Sequence, residues 1–166
     1  MLDVTITREV KIKLYRFVDY FKGFENVEVV RNLFGKDVEK TLSRLKVEFF
    51  SSRYGYMGVN PDGGHLMVST YYLKNGSEKE IYLDIIHELC HIKQYLEGKE
   101  LFDDRFSYVE RPTEVEAYKL AVSEARRIGM TDDEIYSYLK TEWISEDDLK
   151  RLAIALNVTP QDKINS

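Results

Sequence analysis

The segment from Ser77 to Gly98 constrains the fold more than any other part of the chain, because it carries a helix start, a helix end and a one-sided apolar pattern. Ser77 followed three residues later by Glu80 is typical of a capping box. Gly98 suits the left-handed position that ends many helices. Apolar residues recur between them at spacings of three and four, which predicts a helix with one buried face. These residues are Ile81, Ile85, Leu89, Ile92 and Leu96.

Two of the three histidines in the chain lie within this predicted helix, in the sequence His87-Glu88-Leu89-Cys90-His91. Positions four apart share one face of a helix, so both imidazoles can bind a single metal ion. Glu88 is turned about 100° further round the helix axis. That position suits a carboxylate that accepts a proton from metal-bound water without binding the metal itself. The pattern therefore predicts a metal site, and the alternative is two surface histidines on an amphipathic helix.

A catalytic zinc ion takes three protein ligands and keeps one position open, so a third ligand is needed. Carboxylates stand at Glu110, Glu114 and Glu116, around the start of a second predicted helix that runs over residues 112–129. Glu114 lies in the first turn, where the positive end of the helix favours the ionised form that binds metal. The other two acids are alternatives, or they serve only the helix dipole. Cys90, the single cysteine, is predicted to be a small buried residue.

The order of these motifs, from residue 77 to residue 129, resembles the gluzincin clan of zinc metallopeptidases in its minimal, single-domain, cytosolic form. In that clan the glutamate of a Glu-x-x-Ala motif on the downstream helix is the third zinc ligand, and Glu114-Val115-Glu116-Ala117 matches this motif. The resemblance implies a zincin-like fold with Zn²⁺ bound by His87, His91 and Glu114. It also implies hydrolysis of a peptide or protein substrate, with Glu88 as general base. Family members often carry Asp or Asn directly after the alanine, where this chain has Tyr118.

The remaining patterns predict an α+β fold, with a small antiparallel sheet packed against the HExxH helix and the glutamate-bearing helix. We expect a helix over residues 8–22, two helical pieces over 26–46 separated by Gly35, and strands over 47–54, 56–60 and 65–72. Two further helices follow Gly129, with caps at Thr131 and Ser145. Residues 1–166 are interpreted as one domain, in which 131–166 form a C-terminal helical extension packed on the core.

Composition excludes several classes of protein. The net charge is −5 with both signs well mixed, so no basic face for nucleic acid is expected, including on the last two helices. No apolar run is long enough to span a membrane, and the first residues lack the apolar block of a signal peptide. A single cysteine excludes an internal disulfide framework and favours the cytoplasm. The sequence leaves the oligomeric state open. The alternative function is a non-catalytic zincin-like domain with a regulatory or protein-interaction role.

Several polar residues near the motif are further candidates. Asp84, one turn before His87, either supports the second nitrogen of a ligand histidine or is an ordinary solvated residue. His65 follows a Gly-Gly turn and is predicted to be exposed. In the gluzincin resemblance the substrate lies along a sheet edge, for which the strand over 65–72 is the candidate. Tyrosines close in sequence are candidate donors to the oxyanion, namely Tyr95, Tyr108 and Tyr118.

Overall fold

The computed structural model describes residues 3–161, and its helices and strands confirm the predicted α+β class. The N-terminal part contains β1 (Tyr15–Arg16), α1 (Phe17–Tyr20), α2 (Glu28–Phe34) and α3 (Val38–Arg44), with 3-10 turns at Phe24–Asn26 and Gly35–Asp37. The middle part contains β2 (Lys46–Phe50), β3 (Met57–Val59), β4 (Leu66–Ser69) and α4 (Thr70–Asn75). The C-terminal part contains α5 (Glu78–Leu96), α6 (Pro112–Arg127), α7 (Asp132–Leu139) and α8 (Glu146–Ala155).

The four strands form one mixed sheet in the order β1-β2-β4-β3. The outer pairs are antiparallel, but β2 and β4 run parallel, with Val47 opposite Leu66 and Phe50 opposite Ser69. The predicted antiparallel sheet is therefore wrong for its central pair. After β2 the chain first forms β3 at the outer edge and then returns as β4 between the two. Local alternation of apolar residues fixes which face of a strand is buried, but it carries no information about which strand becomes its neighbour.

The predicted helix over residues 8–22 is also wrong in its first half. Residues 3–14 form no helix or strand, and regular structure begins with the two-residue strand β1, followed by α1. Val10, Ile12 and Leu14 are exposed and stand two residues apart. On a helix a spacing of two turns successive side chains by about 200°, so these residues cannot share one buried face. Their spacing matches extended chain instead. The two helical pieces predicted around Gly35 are confirmed as α2 and α3.

The predicted strand over 65–72 ends earlier, at Ser69, because a helix cap forms there. The Ser69 side-chain oxygen accepts a hydrogen bond from the backbone N–H of Tyr72 at 3.2 Å, and α4 begins at Thr70. This cap outweighs the strand preference of the β-branched and aromatic residues that follow. The predicted caps at Thr131 and Ser145 are both present, since each hydroxyl accepts from the backbone N–H three residues on.

Two hydrophobic clusters lie on opposite sides of the long helix α5. The first joins the sheet and the N-terminal helices to α5 through residues such as Val47, Leu66 and Leu89. The second joins α6, α7 and α8, to which α5 contributes the buried Leu83 and the partly buried Tyr82. The described part of the predicted C-terminal extension therefore packs on α6, and residues 162–166 lie outside the described residues. Within residues 3–161, the helices are too short or too polar to cross a bilayer.

Candidate metal centre

Helix α5 holds both histidines of the motif and has the predicted ends. The Ser77 side-chain oxygen accepts from the backbone N–H of Glu80 at 3.5 Å, and Gly98 adopts a φ of +78° after the last turn. The apolar stripe faces the sheet over most of its length, although Leu96 is 63% exposed. His87 and His91 are buried on another face of the helix, against α6. The predicted separation of the histidines from the apolar face is confirmed.

Helix α6 brings Glu114 to this histidine pair. Pro112 occupies the start of the helix, where its missing N–H is not needed, and Glu114 follows in the first turn. The Nε2 atoms of His87 and His91 each lie 3.0 Å from a different carboxylate oxygen of Glu114. The two Nε2 atoms are 3.1 Å apart. The three residues predicted as metal ligands, 27 positions apart at their extremes, therefore meet at one buried point.

The chemistry of this cluster fits a divalent cation. Two imidazole nitrogens and one carboxylate are the ligand set of many zinc sites. Donor atoms that bind one ion at about 2.0–2.1 Å cannot lie more than about 4 Å apart, and the three separations meet this condition.

The cluster also attracts positive charge. Burial lowers the pKa of His91, but its hydrogen bond to Glu114 and the charges of Glu88 and Glu114 outweigh this effect and raise the pKa to about 9. A proton or a metal cation therefore satisfies the same three side chains.

The pKa of the Glu114 carboxyl group is set by the same two opposing effects, burial and the neighbouring charges. Burial would raise its pKa, but hydrogen bonds and charges from His87 and His91 outweigh burial and hold the pKa well below the usual range of a glutamate. Glu114 is therefore ionised at neutral pH, which is the form that a metal ion requires.

Gln94 orients His91, and the sequence analysis missed it. The side-chain NH₂ of Gln94 donates to the carbonyl of Thr113 at 3.0 Å and to Glu116 at 3.1 Å. Its oxygen therefore faces His91 Nδ1, 2.7 Å away, and must accept a hydrogen bond from it. This contact places a proton on Nδ1, so in the neutral imidazole the lone pair is on Nε2, the nitrogen that faces Glu114. The available signal was a glutamine three residues after His91, on the same side of the helix.

Glu88 lies beside the histidines in a different position from Glu114. One of its carboxylate oxygens is within 4.8 Å of an imidazole nitrogen of both His87 and His91, whereas Glu114 contacts each imidazole at 3.0 Å. The side chain is 9% exposed. Burial raises its pKa, against the opposing effect of the two histidines. A buried carboxyl with a raised pKa, adjacent to the cluster, is suited to accept and release a proton.

The other candidate ligands lie elsewhere. Glu116 accepts from Gln94 and lies 3.7 Å from the Cys90 thiol, on the far side of the amide from the imidazoles. Glu110 forms a surface ion pair with Arg151 at 2.6 Å. Cys90 is buried as predicted, and burial with the nearby charge of Glu116 raises the pKa of its thiol to about 12. Glu114 is therefore the one acid of the three alternatives that contacts the histidines.

Asp84 does not support a ligand histidine. One carboxylate oxygen accepts from the hydroxyl of Tyr138 at 2.7 Å, and the other accepts from the hydroxyl of Tyr72. His87 Nδ1 is buried without a hydrogen-bond partner among residues 3–161. The ring of Tyr118 packs edge-on against His87, with centroids 4.4 Å apart. Tyr118 therefore restricts the position of His87 by ring contact.

Of the three candidate tyrosines, two belong to the site. The hydroxyls of Tyr108 and Tyr118 are 2.7 Å apart, and both residues line the cavity described below. Tyr95 lies away from it, with its hydroxyl 3.5 Å from the carbonyl of Asp62. The prediction that His65 is exposed is wrong. Its imidazole is 2.7 Å from the Glu48 carboxylate on β2, and its side chain is 11% exposed.

A cavity of about 200 Å³ opens beside the histidines, Glu88 and Glu114. Strand β3 lines one wall, and the loop between α7 and α8 contributes Thr141 and Trp143. The predicted substrate-binding segment, residues 65–72, contains strand β4. This strand lies between β2 and β3 and has no free edge. Strand β3 is the edge strand at this end of the sheet. The edge available to a ligand near the histidines therefore belongs to Met57–Val59.

No family model, curated protein or solved structure matches this chain. A fold by itself does not specify a function, so the functional conclusion depends on the geometry and chemistry of the site. The buried cluster of two imidazoles and a carboxylate, with a second acid beside a cavity, is the feature that requires an explanation.

Proposed function

We propose that the chain is a zincin-like, zinc-dependent metallopeptidase. The observation that carries this proposal is the contact of His87, His91 and Glu114 at 3.0–3.1 Å in the wall of a cavity. The HExxH and Glu-x-x-Ala motifs supply these residues in the order that gluzincins use. The small sheet with an edge strand beside the HExxH helix is consistent with the same resemblance.

In this proposal His87, His91 and Glu114 would hold Zn²⁺, and the hydrogen bond between His91 Nδ1 and Gln94 would keep Nε2 free to bind it. The ion would supply Lewis acidity, which would polarise a peptide carbonyl and make water a stronger acid. Glu88 takes the proton of the attacking water as the oxygen adds to the carbonyl carbon. When the C–N bond breaks, Glu88 passes that proton to the departing amine nitrogen. Glu88 lies within 4.8 Å of both imidazoles but does not contact them as Glu114 does at 3.0 Å, and this position supports the role of a proton acceptor.

Two further features support a peptide as the substrate. Tyr108 and Tyr118 share one hydrogen bond, in which one hydroxyl donates and the other accepts. The accepting hydroxyl keeps its own hydrogen for a substrate oxygen that gains negative charge. The free edge of β3 can pair with the backbone of an extended peptide, which is a common mode of peptide recognition.

The Glu88→Gln variant tests the proposal, because it removes the proton acceptor and keeps the shape of the side chain. We expect parent and variant each to retain about one equivalent of zinc after purification without added metal. Hydrolysis of a casein-like substrate should fall by about 10²- to 10⁴-fold, as expected for loss of general acid–base catalysis. Glu110→Gln, at an exposed residue that pairs with Arg151, is the matched control and should change neither quantity. A Glu88→Gln protein that cleaves as fast as the parent would contradict the assignment.

The alternative, a non-catalytic zincin-like domain with a regulatory or protein-interaction role, is favoured by one observation. Trp143 packs against both Tyr56 and Tyr108, so an aromatic cluster crosses part of the cavity lining. On this alternative the zinc would be retained, but neither the parent nor Glu88→Gln would hydrolyse peptides.

A further inference from the structure

The loop between α7 and α8, residues 140–145, supplies part of the cavity that holds the histidine cluster. Its Trp143 ring is 5.5 Å from the ring of Tyr56, which precedes β3, and 6.5 Å from the ring of Tyr108, which precedes α6. The indole is also half exposed, at 52%. The loop therefore connects two walls of the cavity through aromatic contacts and still faces solvent.

Thr141 in the same loop has a hydroxyl that the protein does not use. Its Oγ1 is buried and has no hydrogen-bond partner among residues 3–161, although the residue lines the cavity. A buried polar group without a partner destabilises a folded chain, and such groups in native proteins call for a specific explanation. Because Oγ1 has almost no surface open to water, a bound molecule supplies the missing partner when the loop moves to receive it.

The other residues that line the cavity indicate which type of side chain a bound molecule can place there. Beside the histidine cluster the walls are apolar or aromatic, and they include Met57, Leu101 and Phe102. Among the described lining residues the ionisable acids are Asp84, Glu88 and Glu114, and neither lysine nor arginine is present. Apart from the two histidines of the cluster, an acidic side chain on the ligand would therefore find no basic side chain among the described residues of the cavity wall. The volume of about 200 Å³ is below the roughly 300–1,000 Å³ of pockets that enclose a drug-sized ligand, so it fits one side chain.

We propose that the 140–145 loop is the substrate-recognition element of this site. Thr141 hydrogen-bonds a peptide group of the substrate, and Trp143 covers one uncharged, apolar or aromatic side chain next to that group. This inference rests on the proposed function for the identification of the ligand as a peptide. It adds the class of side chain that is accepted and the residues that accept it.

Trp143 is the only tryptophan in the chain, so its fluorescence reports directly on the occupancy of the loop. The zinc-loaded Glu88→Gln variant, which is expected to turn substrate over slowly, is titrated with an acetylated and amidated alanine–phenylalanine–alanine tripeptide. The matched probe has glutamate in place of phenylalanine. We expect the phenylalanine peptide to change the emission and to bind at least about tenfold more tightly. Equal affinity for the two peptides, or a preference for the glutamate peptide, would overturn the proposed preference for an uncharged side chain.

Thr141→Val, made in the same background, tests the hydroxyl. It should weaken binding of the phenylalanine peptide by about threefold to tenfold, the effect of losing one hydrogen bond. Its melting temperature should stay equal or rise, because the hydroxyl has no protein partner to lose. Thr159→Val, at an exposed position outside the cavity, is the control and should change neither value. Unchanged peptide affinity, or a lower melting temperature, would show that Thr141 has only a structural role.

These measurements separate the inference from the proposed enzyme. Binding that depends on Thr141, together with a parent chain that hydrolyses no peptide, would keep the recognition loop and reject the peptidase. Hydrolysis by the parent, with unchanged KM in Thr141→Val made on the parent background, would keep the peptidase and reject the loop.

Discussion

The orientation of His91 by Gln94 leads to a quantitative prediction about metal binding. Gln94 is fully buried, and its oxygen accepts from His91 Nδ1 at 2.7 Å. Gln94→Leu has a similar volume but offers no acceptor. The buried Nδ1–H then has no partner, and the imidazole can rotate or exchange its proton to Nε2, where the metal should bind. Both changes disfavour the state of His91 that binds metal.

The size of the effect follows from the contact that is lost. Removal of a residue that orients a metal ligand weakens metal binding by about 10- to 100-fold, which corresponds to about 1.4–2.8 kcal/mol. Leaving a buried donor unpaired costs about 1–3 kcal/mol, so the two estimates agree. We therefore expect the zinc dissociation constant of Gln94→Leu to rise by one to two orders of magnitude.

Competition with a chromogenic zinc chelator measures this constant, and circular dichroism of the metal-free proteins checks that each variant folds. Gln94→Glu provides the contrast, because its carboxylate still accepts from His91 Nδ1. We expect this variant to keep zinc affinity within about fivefold of the parent, although its metal-free form loses stability because the new carboxylate faces Glu116. If Gln94→Leu binds zinc as tightly as the parent, the hydrogen bond does not set the state of His91.

Two further predictions concern other acidic residues. Glu114→Ala should reduce zinc retention far more than Glu116→Ala, because of these two acids Glu114 is the one that contacts the imidazoles. Zinc per chain after dialysis measures retention, and the reverse order of the two variants would identify Glu116 as the ligand. Glu124 is fully buried and accepts from Tyr82 and Arg127, whose hydrogen bonds lower its pKa against the effect of burial. Glu124→Gln should therefore lower the free energy of unfolding at neutral pH by about 1–2 kcal/mol. Because the folded-state pKa is below the unfolded value, this difference should shrink as the pH falls below about 4, and a constant difference in denaturant titrations would contradict the reasoning.

Helix α5 was predictable because its signals are local. A capping serine, a terminal glycine and apolar spacings of three and four all lie between residues 77 and 98 and act within one or two turns. The same holds for the caps at Thr131 and Ser145. The position of Glu114 also follows from a local signal, because Pro112 fixes the start of its helix and therefore the turn in which the glutamate lies.

The features that were missed depend on contacts between distant parts of the chain. The parallel pairing of β2 with β4 requires the β3–β4 pair to pack beside β2 with β4 as the inner strand. Nothing within the sequence of either strand specifies this arrangement. Thr141 and Trp143 reach the cavity only because α7 and α8 pack on α6. The error over residues 8–22 had a different origin, since apolar residues two apart were interpreted with the period of a helix.

The order of the site residues along the chain has a consequence for protein synthesis. The histidines of α5 leave the ribosome before the carboxylate of Glu114, and the loop that carries Thr141 and Trp143 follows last. A nascent chain that ends before α6 holds two imidazoles without the acid that completes the cluster. The cluster is therefore complete only after the C-terminal third of the chain, from α6 onward, has docked.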